Sequence, residues 1–182
     1  MKKTLFWLQC GGCGGDTWSM YNIESPNLAE LFTLLDLDIL WHPSISVKSR
    51  SDQRRLVSDV LAGNQRLDFL CIEGAVLRGP KGTGLYDLIN GKPKKDLVAA
   101  LARQAHYVIA VGTCASFGGF GADSEIEATG MQFLKWEKGG FVGKSFQAKS
   151  GMPVINLPGC PCHYDIIGGT LSLLVSDATL SL

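Results

Sequence analysis

Short apolar runs rich in β-branched and aromatic residues alternate with helical stretches along this chain, and this alternation limits the folds open to it. The predicted strands cover residues 4–9, 38–41, 67–73, 107–112 and 154–157. The predicted helices cover residues 25–35, 51–62, 94–105 and 165–176. Strands that are separated by helices need crossover connections, which produce a parallel sheet with helices on both faces. We therefore predict an α/β fold with a doubly wound parallel sheet, for which a flavodoxin-like strand order is the simplest arrangement.

The composition and charge of the chain exclude several classes of function. Its 182 residues are 46% hydrophobic, which is enough for one domain with a buried core. The 17 basic residues balance the 17 acidic ones, so the chain lacks the basic character of a nucleic-acid-binding protein. No apolar run reaches the roughly 18 residues of a transmembrane span, and the first one is too short for a signal peptide. We expect a cytoplasmic protein with one domain over residues 1–182, no transmembrane segment and no nucleic-acid partner.

Most of the cysteines lie directly after predicted strands. The sequence has six cysteines, and those that follow the first, fourth and fifth strands are Cys10, Cys13, Cys114, Cys160 and Cys162. In an open parallel sheet, ligands bind beyond the carboxyl ends of the strands. We therefore expect these thiols to converge at one edge of the sheet, near Glu73 at the end of the third strand. Cys71 lies within the third strand and is expected in the core, where free cysteines are common.

Thiolates that reach one edge from three separate loops favour an iron–sulfur cluster. Thiolates are the usual ligands of the iron ions in such clusters. The glycine-rich loops around Cys13 and Cys114 would let backbone amides approach the bound group closely. Structural zinc also takes four thiolates, but usually from two close CxxC knuckles. A redox-active CxxC pair would leave Cys114 and Cys160 without a role. The residues alone leave zinc, a thiol-redox pair and unliganded core cysteines as alternatives.

Six segments of the sequence together resemble the small subunit of nickel–iron hydrogenases, with the nearest likeness to the cytoplasmic uptake and hydrogen-sensing group. They are WLQCGGCGGDTWSM (7–20), LDILWHPS (37–44), EGA (73–75), GTCASFGG (112–119), GMQFLKWEKGGFVG (130–143) and GMPVINLPGCPCHYD (151–165). The resemblance implies a flavodoxin-like domain that holds the proximal iron–sulfur cluster. It also implies that this cluster accepts electrons from H2 oxidation at the nickel–iron centre of a large subunit.

The resemblance assigns a ligand set for one cluster. Cys13, Cys114 and Cys160 fall on ligand positions of the family, whereas Asp16 stands where the family has a further thiolate. We therefore expect these four residues to bind the metal, in a 4Fe-4S cluster or, if the carboxylate does not hold the fourth iron, a 3Fe-4S cluster. Carboxylates are harder ligands than thiolates, so an aspartate at this ligand position would change the binding of the fourth iron.

Three further residues near the expected cluster have less definite roles. Cys10 and Cys162 are surplus thiols that the resemblance places beside the site, and both are candidates for additional ligands. Glu73 matches an acidic residue beside the cluster and the subunit interface, which makes it a candidate interface or proton-handling residue. No residue of this chain is expected to be catalytic, because the nickel–iron centre belongs to the large subunit.

The resemblance also raises the question of where the electrons go next. Members of this group usually continue into a C-terminal domain with medial and distal clusters, which we expect to be absent here because no Cys-rich segment follows residue 162. The chain is then either a single-cluster short form or a truncated or split protein. The electrons would then pass to a further electron-accepting protein or subunit. We expect an electron-transfer subunit in a heterodimer with the large subunit. The alternatives are a hydrogen-sensing regulatory subunit and a stand-alone flavodoxin-like module that binds a metal or a flavin.

Overall fold

A five-stranded parallel sheet forms the centre of the computed structural model, which describes residues 2–176. Its strands are β1 (Lys3–Gln9), β2 (Leu37–Trp41), β3 (Phe69–Glu73), β4 (Tyr107–Val111) and β5 (Ile155–Leu157). Their order across the sheet is β2-β1-β3-β4-β5, and every neighbouring pair is parallel. This is the flavodoxin-like order of doubly wound folds, so the predicted fold class is confirmed.

Six α-helices lie around the sheet in the part of the chain that the structure describes. They are α1 (Gly15–Tyr21), α2 (Leu28–Leu34), α3 (Arg50–Leu61), α4 (Lys94–Gln104), α5 (Gly112–Phe117) and α6 (Tyr164–Ser176). Buried side chains of α1, α2 and α6 pack on one face of the sheet, and those of α3 and α4 pack on the other. Within the described residues, no helix is both long and apolar enough to cross a membrane.

The strands β1 to β4 contribute to two separate hydrophobic cores because successive side chains point to opposite faces. In β1, Leu5 and Trp7 pack with α1, α2 and α6, while Phe6 and Leu8 pack with α3 and α4. In β3, Cys71 is fully buried in the first of these cores. The run of apolar residues in each strand therefore reflects burial on both faces, as is usual in parallel sheets.

Two short helices escape sequence-based prediction, and one predicted helix begins at a different residue. The helices α1 and α5 are absent from the sequence-based prediction, because seven and six residues are too few to show a 3.6-residue repeat. The helix predicted from Ser25 begins after Asn27. The Asn27 side chain accepts hydrogen bonds from Ala29 N and Glu30 N, and the Glu30 carboxylate accepts one from Asn27 N. This reciprocal pair is a capping box, which fixes the start of the helix.

One buried side chain holds the irregular segment between β4 and β5. The Gln132 amide nitrogen donates to the carbonyls of Lys144 and Phe146, and its oxygen accepts from Val154 N, just before β5. The segment includes a 3-10 helix at Gly119–Asp123 and one short antiparallel strand pair, and its residues Ala128–Thr129 pair with Val76–Leu77, which follow β3. It is therefore anchored by side-chain and backbone hydrogen bonds, such as those from Lys149 N to Ala105 O and from Ser150 N to His106 O, and not by the ladder of the central sheet.

We predict that Gly130→Ala lowers the stability of the fold by about 2 kcal/mol, because a Cβ there would overlap the backbone carbonyl of Ser116. Gly169→Ala is the matched control: it lies within α6 with no neighbouring atom in the way, and should raise stability by up to ~1 kcal/mol. Thermal unfolding of the two variants measures both effects, and equal melting temperatures would contradict the close packing at Gly130.

Candidate metal centre

Three separate segments of the chain, two loops and the helix α5, bring thiols together at the carboxyl edge of the sheet. Cys13 lies between β1 and α1, Cys114 lies in the first turn of α5 directly after β4, and Cys160 lies after β5. The thiols of Cys13 and Cys160 are exposed and that of Cys114 is half-buried. The structure therefore brings these three thiols together at one edge of the sheet, as predicted.

Hydrogen bonds join the loops to one another. The N–H groups of Gly11 and Ala75 each donate to the carbonyl of the other, at 2.9 and 2.8 Å, which links the loops after β1 and β3. Thr113 N donates to Gly159 O at 2.8 Å, and Gly159 N donates to the Thr113 hydroxyl, which links the segments after β4 and β5. The relative positions of the thiols are thus set by contacts between the loops as well as by the strands.

The three thiols line a common cleft with a volume of about 300 Å³. Its remaining lining is glycine and apolar, and it includes Gly11, Gly12, Ala75, Leu77, Phe120 and Ile126. A narrower recess shares the three thiols and adds Asp16 and Glu73. Within residues 2–176, no three His, Cys, Asp or Glu side chains are grouped closely enough to surround a single metal ion. The thiols are instead arranged around a space that opens to the surface.

Two glycines permit this close approach of the loops. Gly74 has a φ of 84°, and a Cβ there would lie 2.9 Å from the backbone of Gly11. Gly112 has a φ of 83°, and a Cβ there would overlap the carboxylate of Asp16. Positive φ angles and close contacts of this kind are accessible to glycine without strain. Glycine at these positions lets both the backbone and the Asp16 carboxylate reach the thiols.

Asp16 connects the loop after β1 to the loop after β5. Its Oδ1 accepts a hydrogen bond from Cys162 N at 2.7 Å, and the residue is buried in the first turn of α1. Burial raises the pKa of the Asp16 carboxyl, the bond from Cys162 N opposes this rise, and nearby Glu73 adds to it. The carboxylate therefore lies beside the thiols and within reach of the same recess.

The site concentrates groups that become negative when they lose a proton. Burial raises the pKa of the Cys114 thiol, and the neighbouring Cys160, Cys13 and Asp16 raise it further. No Lys or Arg is among the residues that line the cleft or the recess. When ionised, the thiols and the Asp16 carboxylate repel one another. A cationic group bound in this space would relieve that repulsion.

Glu73 is fully buried at the end of β3 and is held by three hydrogen bonds. Its Oε2 accepts from Trp7 Nε1 at 2.9 Å and from the Thr17 hydroxyl at 2.5 Å, and its Oε1 accepts from Thr17 N at 2.9 Å. These donors lie on β1 and in the first turn of α1. Glu73 therefore fixes α1, and with it the loop of Cys13, to two strands of the sheet.

The imidazole of His42 packs against Trp7, which donates a hydrogen bond to Glu73. Its ring lies 5.2 Å from that of Trp7, and its Nδ1 accepts a hydrogen bond from Ser44 N. Burial lowers the pKa of His42 to about 4, although Glu73 opposes this shift. The imidazole is therefore neutral near pH 7, with its proton on Nε2, and it serves as a packing residue of this edge.

The two surplus thiols point into the hydrophobic cores. Cys10 is buried on the α3–α4 side of the sheet, where burial raises its pKa to about 12. Cys162 is buried on the α1–α6 side, where burial and Asp16 raise its pKa to about 11. Neither residue is among those that line the cleft or the recess, and Cys71 is buried in the sheet as expected.

Sequence reasoning missed the partners that position the site. Thr17 and Trp7 carry no signal of a contact with Glu73, because they are 56 and 66 positions away in the sequence. The GGDT run before Trp18 offers only a weak indication of a helix start. The apolar lining of the cleft at Leu77 and Phe120 was also missed, since both lie in segments without a regular pattern.

Comparisons with known proteins identify the family of this chain. Residues 13–174 match the family described as NADH ubiquinone oxidoreductase, 20 Kd subunit. The chain is 30% identical over 193 residues to the F420 non-reducing hydrogenase II small subunit of Methanosarcina mazei, a match that covers 96% of this chain and 48% of that protein. The chain thus spans about half the length of the curated relatives it matches.

Solved hydrogenase structures have the same fold. A NiFeSe hydrogenase of Desulfovibrio vulgaris Hildenborough superimposes with a TM-score of 0.77 and 30% identity, over 95% of this chain and 59% of that one. An actinobacterial-type NiFe-hydrogenase of Ralstonia eutropha H16 gives a TM-score of 0.81 at 21% identity, over 96% and 53% of the two chains. The second likeness concerns the fold alone.

We predict that Glu73→Ala destabilises the protein by about 3 kcal/mol, because it leaves the buried donors of Trp7 and Thr17 without an acceptor. Glu73→Gln, which keeps the shape and one acceptor oxygen, should lose less. Thermal unfolding measures the difference, with the exposed Glu137→Ala as the matched control. A Glu73→Ala variant as stable as the control would contradict the role of this carboxylate.

Proposed function

The chain belongs to the family of the NADH ubiquinone oxidoreductase 20 Kd subunit, and from this premise we propose that it is the electron-transfer small subunit of a nickel–iron hydrogenase. The observation that carries the proposal is the cleft at the carboxyl edge of the sheet, which three thiols from three segments line together. The similarity to hydrogenase small subunits over nearly the whole chain supports the same reading.

The residues of the cleft fit an iron–sulfur cluster. Thiols are the donors that such clusters take, and this cleft offers Cys13, Cys114 and Cys160 on separate backbone segments. Gly119 supports the fit, because a Cβ at that position would lie 2.7 Å from the Cys114 sulfur and would restrict its approach. When bound, the cluster would supply a one-electron redox centre.

We propose Asp16 as the fourth ligand. Its carboxylate lines the same recess as the three thiols, and its Oδ1 is oriented by the bond from Cys162 N. Cys10 is the rival candidate, but its thiol is buried in the core on the far side of β1. A carboxylate donates less charge to iron than a thiolate, so this ligand would influence the potential of the cluster.

The chain's own residues would hold, orient and shield the group. The thiols bind it, while Glu73 fixes α1 through Thr17 and so keeps Cys13 and Asp16 in place. The apolar side chains of Leu77 and Ile126 exclude water from one side of the cleft. Hydrogen-bonded and buried in this way, Glu73 is proposed to be a positioning residue rather than a proton carrier.

We further propose that a large subunit with the nickel–iron centre covers the open cleft. Phe120 lines the cleft with its side chain fully exposed, and Trp136 on the same irregular segment is 86% exposed. Exposed aromatic side chains are typical anchors of protein–protein interfaces. The proposed reaction of the complex is the reversible conversion of dihydrogen into two protons and two electrons.

We predict that Cys114→Ala and Cys160→Ala each lose most of the bound iron and of H2-dependent dye reduction, because each removes a thiolate ligand. Cys71→Ala is the control: it removes a buried sulfur from the sheet, costs about 1 kcal/mol, and should keep both iron and activity. Iron content and visible absorbance of the purified complex measure the outcome. Full iron content in Cys114→Ala would overturn the proposed ligand set.

We predict that Asp16→Ala yields a three-iron cluster after oxidation, whereas Asp16→Cys keeps a four-iron cluster with a lower reduction potential. The reason is that alanine offers no fourth ligand and a thiolate donates more charge than a carboxylate. Electron paramagnetic resonance and a redox titration of the complex measure both changes. An unaltered four-iron spectrum and potential in Asp16→Ala would move the assignment to Cys10.

A further inference from the structure

The two helical layers of this protein differ in charge. Every Lys and Arg lies at position 2 or 3 or between positions 48 and 149, so none belongs to α1, α2 or α6. The acidic residues on or between these helices include Glu24, Glu30 and Asp165. The opposite layer has charges of both signs: the basic residues are Arg50, Arg54 and Arg55 on α3 and Lys94, Lys95 and Arg103 on α4, and the acidic ones are Asp52, Asp59 and Asp96. The charged residues of the first layer are thus all acidic, whereas the second layer has an excess of basic residues, although the net charge of the chain is zero.

The acidic layer also exposes large apolar side chains. Trp18 on α1 is 68% exposed and contacts the ring of Tyr21, one turn further along the same face of the helix. Ile166 and Leu173 on α6 are exposed too, and their spacing of seven residues places them on one face of that helix. We call these four residues, together with the exposed acids Glu24, three residues after Tyr21, and Asp165, directly before Ile166, the α1–α6 face. Exposed aromatic and aliphatic side chains rimmed by charge mark interaction sites.

The α1–α6 face begins at the candidate ligands. The first turn of α1 carries Asp16, and α6 starts two residues after Cys162, whose N–H donates to Asp16 Oδ1. The two helices pack on each other. Trp18 is thus exposed two residues away from a proposed ligand, on the helical layer rather than among the residues that line the cleft.

We propose that the α1–α6 face is the docking surface for a protein electron carrier whose own contact face bears Lys and Arg side chains around an apolar centre. The inference rests on the proposed function. The partner's charge follows from the acidic residues and from the lack of any Lys or Arg on these helices, since complementary charge steers redox partners together. Electrons would enter from the large subunit over the cleft and leave through a separate surface.

The electron balance fixes what the carrier must do. Each H2 that is oxidised releases two protons and two electrons, and a one-electron carrier such as a ferric c-type cytochrome takes up one electron. Two ferric haems are therefore reduced to the ferrous state for each H2, and the two protons go to the solvent. The reaction needs no further oxidant.

The test uses the purified complex with its large subunit, with H2 as donor and a lysine-rich c-type cytochrome as the probe. An acidic ferredoxin is the probe of opposite charge, and benzyl viologen reports H2 oxidation without protein docking. The variants are Trp18→Ala and Glu24→Lys, and the matched control is Asp96→Lys, an exposed acid on α4 in the opposite layer. Thermal unfolding verifies that each variant is folded.

We predict that at low salt the wild-type complex reduces the cytochrome faster than the ferredoxin, and that Glu24→Lys slows cytochrome reduction by about tenfold. Trp18→Ala should slow it at both low and high salt, because its contact is apolar. The control variant should match the wild type, and the dye rate should be the same in every variant.

Wild-type cytochrome rates in both test variants, or equal slowing in Asp96→Lys, would overturn the docking surface alone. Absence of dye reduction in the iron-loaded wild type would overturn the proposed function and this inference with it.

Discussion

Glu73 ends the central strand, and its buried carboxylate receives hydrogen bonds from Trp7 on β1 and from Thr17 in α1. Burying a carboxylate lowers the stability of the fold unless donors bind it, and buried donors likewise need an acceptor. The three donors and the Glu73 carboxylate therefore satisfy one another. Since Thr17 follows Asp16 directly, this contact sets where α1 begins. The loop that carries Cys13 therefore has both ends fixed, one by β1 and the other by Glu73.

The strands of the sheet form the frame of the molecule, and the segments that follow them carry the site residues. The strands, buried on both faces, give a rigid frame. The loops carry thiols, glycines and a carboxylate at one edge, where small backbone displacements would change the shape of the cleft. Hydrogen bonds between Gly11 and Ala75 and between Thr113 and Gly159 limit those displacements. A metal centre built from separate segments of chain needs this kind of support, because the ligands share no local secondary structure.

The proposed entry and exit of electrons use two different surfaces of the molecule. The cleft opens at the carboxyl edge beside Phe120, whereas the α1–α6 face lies on one helical layer and begins at Asp16. The opposite layer carries the basic residues of α3 and α4. A protein that handles electrons between two partners needs two surfaces with different chemistry, and this chain offers an open apolar cleft and an acidic helical face.

The class of fold and the position of the thiols at the edge of the sheet can be predicted from the amino-acid sequence alone. Alternating strands and helices require a parallel sheet, and its carboxyl edge collects whatever follows the strands, which here includes Cys13, Cys114 and Cys160. These are consequences of local pattern and chain connectivity, which a single sequence contains.

The contacts that position the site become visible when the segments of the chain pack together. The tertiary structure showed that Cys10 and Cys162 point into the cores and that Asp16 binds Cys162 N. It also showed that Glu73 is held by Trp7 and Thr17. These contacts join residues far apart in the sequence, and the direction of a side chain at a loop depends on backbone angles that neighbouring segments impose. Local sequence patterns do not contain that information, because it arises when the segments pack.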